Sequence, residues 1–169
     1  MMRDDVDCVH VREATAADLD EVGRIAVDAY RVDGQLQDES GYEVALRDAA
    51  GRARDSEVLV AVDGDTVVGA VAVCLPGSRL AEISRADELE FRMLSVDPAH
   101  QGRGIGRALV AACLDRARDR GCRAVVISTR SDGAERARRM YRALGFTRLP
   151  ERDWTPVPGI DLIAWEYRL

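Results

Sequence analysis

Apolar residues recur along this chain with two different periods, which together predict alternating strands and helices. Alternating or continuous apolar runs predict strands at 9–12, 58–62, 66–73, 88–98, 124–128, 146–149 and 162–167. A period near 3.6 residues predicts helices at 15–29, 42–53, 104–120 and 134–144. The predicted order, β-α-α-β-β-β-α-β-α-β-β, indicates an α/β fold with a single mixed sheet.

Short local signals support these elements. Thr15 and Asp18 have the spacing of a capping box, which favours a helix start. Asp63-Gly64-Asp65 separates two apolar runs and predicts a hairpin, and Gly121 is typical of a helix end. With 169 residues, of which 47% are hydrophobic, the chain is expected to form one domain over 1–169.

Three glycines stand between a predicted strand and a predicted helix, in the run Gln101-Gly102-Arg103-Gly104-Ile105-Gly106. Glycine lets the backbone approach a ligand closely and turn its N–H groups toward one point. The helix that follows adds the positive end of its dipole. This combination predicts a phosphate-binding turn.

Two familiar phosphate-binding motifs do not fit this turn. A Walker loop ends in Gly-Lys-Ser/Thr, and the chain contains no lysine. A dinucleotide fingerprint needs a third glycine where this chain has Arg107. It also needs a carboxylate at the end of the next strand, and 124–129 ends without one.

The spacing Gln-x-x-Gly-x-Gly, met by Gln101, Gly104 and Gly106, resembles the acetyl-CoA pyrophosphate loop of the GNAT superfamily of N-acyltransferases. The strand at 88–98 and the segment 137–146 resemble two further signatures of that family. The resemblance is strongest over 88–146, which it identifies as the acyl-CoA-binding core. It implies a GNAT-like domain that uses acetyl-CoA as cosubstrate.

The resemblance also implies which residues contact the cofactor. On the flanking elements these are Leu94, Val96 and Tyr141, and along the turn they are Gln101, Gly102, Arg103, Gly104, Ile105, Gly106 and Arg107. Arg103 and Arg107 are expected to bind phosphate, although a solvated arginine is an equal alternative for each. Ala134 occupies the position where the family carries asparagine.

Acetyl transfer to an amine needs a base, a donor to the carbonyl oxygen and an acid for the sulfur. The resemblance assigns the base to Glu90, and Glu88 stays open because both lie on one strand face with Arg92. Leu94 is the expected backbone donor, in a strand that splays from its parallel neighbour. Tyr141 is the expected acid, with core packing as its alternative.

Composition limits the other classes of function. A net charge of −6 argues against nucleic-acid binding, and no apolar run is long enough to span a membrane. The four cysteines lack metal-ligand spacing, so no metal site is expected. We therefore expect a cytoplasmic protein.

Substrate choice is expected to come from 30–40 and 150–159, where acidic side chains favour a cationic amine: Asp33, Asp38, Glu39, Glu151 and Asp153. The predicted function is an N-acetyltransferase acting on a primary amine by direct attack. Transfer of a longer acyl group and a CoA-binding regulator without turnover are the alternatives. Homodimers are common in the family, so the resemblance also allows a homodimer.

Overall fold

The computed structural model describes residues 9–36 and 41–169, and within them it confirms an α/β fold with one mixed sheet. The strands are β1 (Val9–Glu13), β2 (Glu57–Asp63), β3 (Thr66–Cys74), β4 (Glu88–Val96), β5 (Ala124–Arg130), β6 (Thr147–Arg148), β7 (Trp154–Val157) and β8 (Ile160–Arg168). The helices are α1 (Leu19–Val32), α2 (Tyr42–Arg47), α3 (Ala49–Asp55), α4 (Ile105–Asp119) and α5 (Glu135–Leu144). Short 3-10 turns occupy Ala16–Asp18, Pro98–His100 and Pro150–Arg152.

The strands form one sheet in the order β1-β2-β3-β4-β5-β8-β6, and β7 pairs with β8. The pair β4–β5 is parallel, whereas the other pairs in the described residues are antiparallel. A parallel pair needs a crossover connection, and α4 supplies it.

Helices cover both faces of the sheet, and alternate side chains of β2 point to opposite faces. Leu59 and Ala61 point into a core shared with α4 and α5. Val58, Val60 and Val62 point to the other face, against α1 and α3. Because side chains alternate along a strand, a continuous apolar run is what a strand covered on both faces requires.

The parallel pair β4–β5 is short and then opens. Three residue pairs join the strands, the last between Glu90 and Val126. On the opposite edge of β4, the register with β3 shifts so that Met93 and Leu94 lie opposite Val71. Met93 adopts φ of 54°, a left-handed conformation rare in a residue other than glycine. This bulge bends β4 away from β5 and leaves a V-shaped gap in the sheet.

Two segments differ from the sequence prediction. The helix predicted at 42–53 is divided at Asp48, whose Oδ1 accepts the Gly51 N–H at 2.8 Å and caps α3. A side chain that caps a new helix competes with continuation of the old one. The segment predicted as a loop at 150–159 contains β7, an edge strand, where Pro156 needs no ladder partner.

Candidate active site

A cleft of about 860 Å³ occupies the gap between β4 and β5. Residues of both strands line it, together with the amino-terminal ends of α4 and α5, the facing ends of α1 and α2, and the β7–β8 hairpin. This volume suits a small-molecule ligand. The cleft therefore lies where the sheet opens, as expected from the predicted splay.

The glycine-rich turn forms one wall of this cleft. Gly102 and Gly104 have φ of 81° and 76°, and a Cβ on either would meet no atom within 4 Å. These glycines are therefore required by backbone conformation and not by crowding within the protein. Gly104 is the N-cap of α4, so the first N–H groups of that helix face outward without intrahelical partners. Open space beside these donors fits a bound pyrophosphate.

The last two residues of the turn serve packing as well. Ile105 is buried in the main core, where it helps to hold the start of α4 against the sheet. A Cβ on Gly106 would lie 3.2 Å from the Sδ atom of Met140, so this glycine lets α4 and α5 approach each other. The glycines of one motif thus have two different physical roles.

The polar side chains of the turn point in different directions. Gln101 lines the cleft and accepts a hydrogen bond from Arg136 through Oε1. Arg107 is exposed and also lines the cleft. Arg103 instead forms an ion pair with Asp63 at 2.9 Å, on the β2–β3 hairpin, and lies outside the cleft lining. Arg107 and Arg136, on α4 and α5, both line the cleft.

Leu94 and Val96 line the cleft where β4 has left β5. Their strand edge has no ladder partner on the β5 side, because that pairing ends at Glu90. Both side chains also pack against the main core. Their backbone can therefore meet a ligand while their side chains hold the strand in place.

Tyr141 lies on α5 and reaches both the core and the cleft. Its ring centroid is 5.9 Å from that of Phe91 and 5.5 Å from that of Phe146, and the residue is 2% exposed. Burial raises the pKa of the phenol, which keeps it protonated. The ring is therefore part of the core, and the residue also lines the cleft, which the predicted role as an acid requires.

The residue that begins α5 departs from good capping chemistry. Ala134 is the N-cap, with φ of 50° and no side-chain cap. Left-handed backbone suits glycine or asparagine much better than alanine. The strain lies directly at the cleft, which Ala134 lines.

Glu90 is buried at the point where the two strands part, and it lines the cleft. Its Oε2 accepts three backbone N–H groups of the β3–β4 loop, from Glu82, Ile83 and Ser84, at 2.9–3.0 Å. One oxygen of the predicted base therefore holds a loop in place. Proton acceptance would fall to the other oxygen, Oε1.

Glu88, the alternative base, is bound elsewhere. It is buried, accepts hydrogen bonds from Arg152 and from the Arg85 N–H, and pairs with Arg123. Burial alone would raise the pKa of Glu88, but the hydrogen bonds and charges of these arginines outweigh it and lower the pKa. Glu88 does not line the cleft, so the geometry favours Glu90 between the two.

A second carboxylate in the cleft escaped sequence analysis. Glu82 comes from the β3–β4 loop, forms an ion pair with Arg92 and lines the cleft beside Tyr30 and Tyr42. Burial raises the pKa of Glu82, and the charge of Arg92 only partly offsets this effect. No periodic pattern marks a loop residue, so only the three-dimensional contacts reveal it.

Most of the acidic residues that were expected to favour a cationic amine do not line the cleft. Among the described residues of that set, Asp33 lines the cleft, whereas Glu151 and Asp153 do not. Asp153 instead pairs with Arg148 at 2.6 Å and accepts the Ala164 N–H. Asp38 and Glu39 lie outside the described residues.

The described residues contain no group of three or more histidine, cysteine, aspartate or glutamate side chains arranged to hold a metal ion. Across the same ranges, no helix has the length and apolar character needed to cross a membrane.

Comparison with known proteins decides the family. The sequence profile described as "Acetyltransferase (GNAT) family" matches residues 19–146. The chain belongs to the GNAT family of acetyltransferases. This match includes the glycine-rich turn, the bulged strand and α5. The resemblance inferred from the sequence is therefore confirmed.

Curated relatives of this GNAT protein include two bacterial acetyltransferases. It is 38% identical over 99 residues to the N-alpha-acetyltransferase RimI of Mycobacterium tuberculosis, covering 58% of this chain and 57% of that protein. It is 38% identical over 108 residues to the mycothiol acetyltransferase of Cellulomonas flavigena, covering 57% of this chain and 30% of that protein. The chain spans 20–57% of the length of the curated relatives that it matches, the two named here and an uncharacterized protein of Mycobacterium leprae.

Solved structures resemble nearly the whole chain. A ribosomal-protein-alanine N-acetyltransferase from Brucella melitensis has a TM-score of 0.69 and 26% identity, covering 95% of this chain and 99% of that chain. The PaiA N-acetyltransferase from Thermoplasma acidophilum in complex with coenzyme A has a TM-score of 0.69 and 15% identity, covering 95% and 99%. The second likeness shows a shared fold.

Proposed function

We propose that this GNAT protein is an N-acetyltransferase that moves the acetyl group of acetyl-CoA to a primary amine by direct attack. The observation that carries the proposal is the gap between β4 and β5, which joins the glycine-rich turn to the buried carboxylate of Glu90 within one cleft. Several relatives are named as N-acetyltransferases, which supports the same chemistry.

The cofactor end lies on the α4–α5 side of the cleft. N–H groups at the start of α4 would bind the pyrophosphate, and the guanidinium groups of Arg107 and Arg136 add positive charge there. For Arg103 the proposal keeps a backbone contribution, because its side chain pairs with Asp63.

Acetyl-CoA supplies an acyl group activated as a thioester. Leu94 would donate its backbone N–H to the acetyl carbonyl oxygen, on which negative charge develops as the amine attacks. The bulge fixes this strand edge before any ligand arrives, so the donor needs no reorganisation. Val96 would contact the same ligand two residues further along β4.

Two side chains would complete the proton transfers. Glu90 would take a proton from the amine through Oε1, directly or through a water molecule. Tyr141 would donate its phenolic proton to the departing sulfur. In this arrangement the nitrogen loses a proton, the N–C bond forms, and the C–S bond breaks.

The proposal places the reaction in the cytoplasm. Cys74, Cys113 and Cys122 are free and buried, which fits a reducing compartment. No observation favours a longer acyl group over acetyl.

The test is release of free CoA thiol from acetyl-CoA across a panel of amines. Glu90→Gln should lower kcat by about 10² to 10⁴ at neutral pH, with partial recovery at higher pH as the free amine becomes available. Glutamine keeps a carbonyl oxygen for the three loop N–H groups, so the melting temperature and CoA affinity should change little.

Two outcomes would contradict the proposal in different ways. Failure to bind acetyl-CoA by calorimetry would remove the cofactor assignment. Binding without thiol release for any amine would favour a CoA-binding regulator.

A further inference from the structure

Glu82 is a charged residue that lines the cleft, and the mechanism proposed above gives it no role. Its side chain is 24% exposed and approaches Arg92 through Oε1. A carboxylate offers about four lone-pair positions, so one guanidinium contact leaves it able to accept further hydrogen bonds. Glu82 therefore presents an acceptor to whatever enters this part of the cleft.

The position of Glu82 is held from two directions. Glu90 binds the backbone N–H of Glu82, and Arg92 pairs with its side chain while also donating to the Leu80 carbonyl at 3.0 Å. A loop residue anchored at both its backbone and its side chain is preorganised for binding.

The charges around Glu82 favour a cation. The carboxylates of Glu82 and Glu90 both line this part of the cleft, and among the described residues that line it Arg92 pairs with Glu82. Tyr30 and Tyr42 stand nearby, and burial raises the pKa of both phenols, so neither adds charge at neutral pH. An ammonium group that enters between these side chains would meet two carboxylates and one guanidinium group. The guanidinium group of Arg52 lies outside this lining, where it donates to the Ala45 and Leu46 carbonyls.

Apolar side chains line the remainder of this part of the cleft. They come from α1, α2 and the β7–β8 hairpin and include Ala29, Ala45, Val157 and Leu162, beside the rings of Tyr30 and Tyr42. Val157 is 53% exposed and Tyr42 is 36% exposed, so this apolar lining continues to the surface. Within the described residues, these side chains offer no charged partner for a second or third cationic group. Asp33, another carboxylate that lines the cleft, has its carbonyl oxygen beside Gly133, just before α5.

We propose that Glu82 binds the ammonium group of the acceptor and that the acceptor is a primary amine on an apolar skeleton with no second charge. The proposal rests on the N-acetyltransferase function proposed above. Glu82 acts in binding, and Glu90 stays the predicted proton acceptor for the same nitrogen. The apolar lining excludes polyamines because their further ammonium groups would lose water without gaining a partner.

The test is steady-state thiol release with 2-phenylethylamine and with spermidine. The wild-type protein should give the higher kcat/KM with 2-phenylethylamine. Glu82→Gln should raise KM for that amine about ten-fold or more, since it removes the negative charge that strengthens the hydrogen bond to the ammonium group. Its kcat, the pH profile of kcat and the affinity for CoA should be unchanged.

Two further variants keep the result interpretable. Glu151→Gln removes a carboxylate from the exposed turn at Pro150–Arg152, outside the cleft lining, and should leave both kinetic constants unchanged. Val157→Asp, at an exposed position, should raise KM for 2-phenylethylamine about three-fold and lower it for spermidine.

Preference of the wild-type protein for spermidine would overturn the proposed substrate class. A fall in kcat for Glu82→Gln, with an altered pH profile and unchanged KM, would make Glu82 the proton acceptor and overturn its binding role. Absence of thiol release with every amine, despite intact CoA binding, would instead count against the N-acetyltransferase function.

Discussion

At the scale of single residues, Tyr141 combines a packed ring with a proposed role as proton donor. Tyr141→Phe should lower kcat by about 10² to 10⁴ while leaving CoA affinity intact, because it removes the proposed proton donor and keeps the ring. Stability should hold, since the contacts with Phe91 and Phe146 use the ring faces and edges. Thiol-release kinetics and thermal melting measure the two effects.

The control for Tyr141 is Tyr141→Ala, which empties a ring-sized space in the core. It should lower the free energy of unfolding by about 3–5 kcal/mol. A Phe variant with wild-type kcat would show that Tyr141 is a packing residue and that water protonates the sulfur.

Ala134 gives a residue-scale prediction about stability. Ala134→Gly should raise the free energy of unfolding by about 0.5–1 kcal/mol, because it relieves left-handed strain at φ of 50°. Ala137→Gly, in the regular part of α5, should lower it by about 1 kcal/mol. Denaturant unfolding of both variants tests this, and two changes of the same sign would refute the strain argument.

At this scale the sequence indicates chemistry best where a motif sets the spacing. Gln101, Gly104 and Tyr141 were identified by position within a pattern, and all three line the cleft. Glu82 lies in an irregular loop, where no periodicity reports which way a side chain points. The position of Glu82 is set by hydrogen bonds between that loop and Glu90, and no local sequence pattern indicates such contacts.

At the scale of elements, the turn that precedes α4 can be tested with a matched pair of glycines. Gly104 and Gly64 both have positive φ, and neither has an atom within 4 Å of its missing Cβ. Gly104→Val and Gly64→Val should each lose about 1–2 kcal/mol of stability from the same backbone strain. Only Gly104→Val should weaken CoA binding in calorimetry, by about ten-fold or more.

If the two glycine variants bound CoA equally well, the assignment of this turn to phosphate binding would be wrong.

The sequence predicts this turn and the β2–β3 hairpin because glycine residues mark both directly. It did not predict the division between α2 and α3, because an aspartate such as Asp48 is compatible with a helix interior or with a cap. Tertiary packing decides between the two.

At the scale of the whole molecule, the ion cluster around Glu88 joins β4 to the turn at Pro150–Arg152 and to the start of β5. Because the folded state lowers the pKa of Glu88, its stabilising effect is complete above the unfolded pKa of about 4.3. That effect is lost as the pH falls through the folded pKa. The wild-type free energy of unfolding should therefore fall on acidification below about pH 4.3.

Glu88→Gln should remove part of this acid dependence and lower stability at neutral pH by about 2–3 kcal/mol, since it leaves the largely buried guanidinium group of Arg152 without its counter-charge. Urea unfolding at pH 7 and at pH 4 measures both changes. Parallel pH dependence in the variant and the wild type would show that Glu88 is not the titrating group.

The gap between β4 and β5 also bears on whether strands of two molecules can pair edge to edge. A strand edge with free N–H and C=O groups is a template for pairing with another chain, and sheet proteins usually cover or distort such edges. Here the free edge of β4 lies at the bottom of a cleft, with α4 and α5 among its walls. A flexible, narrow ligand can thread into that space, whereas the strand of a neighbouring molecule would need to bring its flanking backbone and side chains through the same opening. The concave shape of this site should therefore also hinder pairing of the free β4 edge with a strand of another molecule.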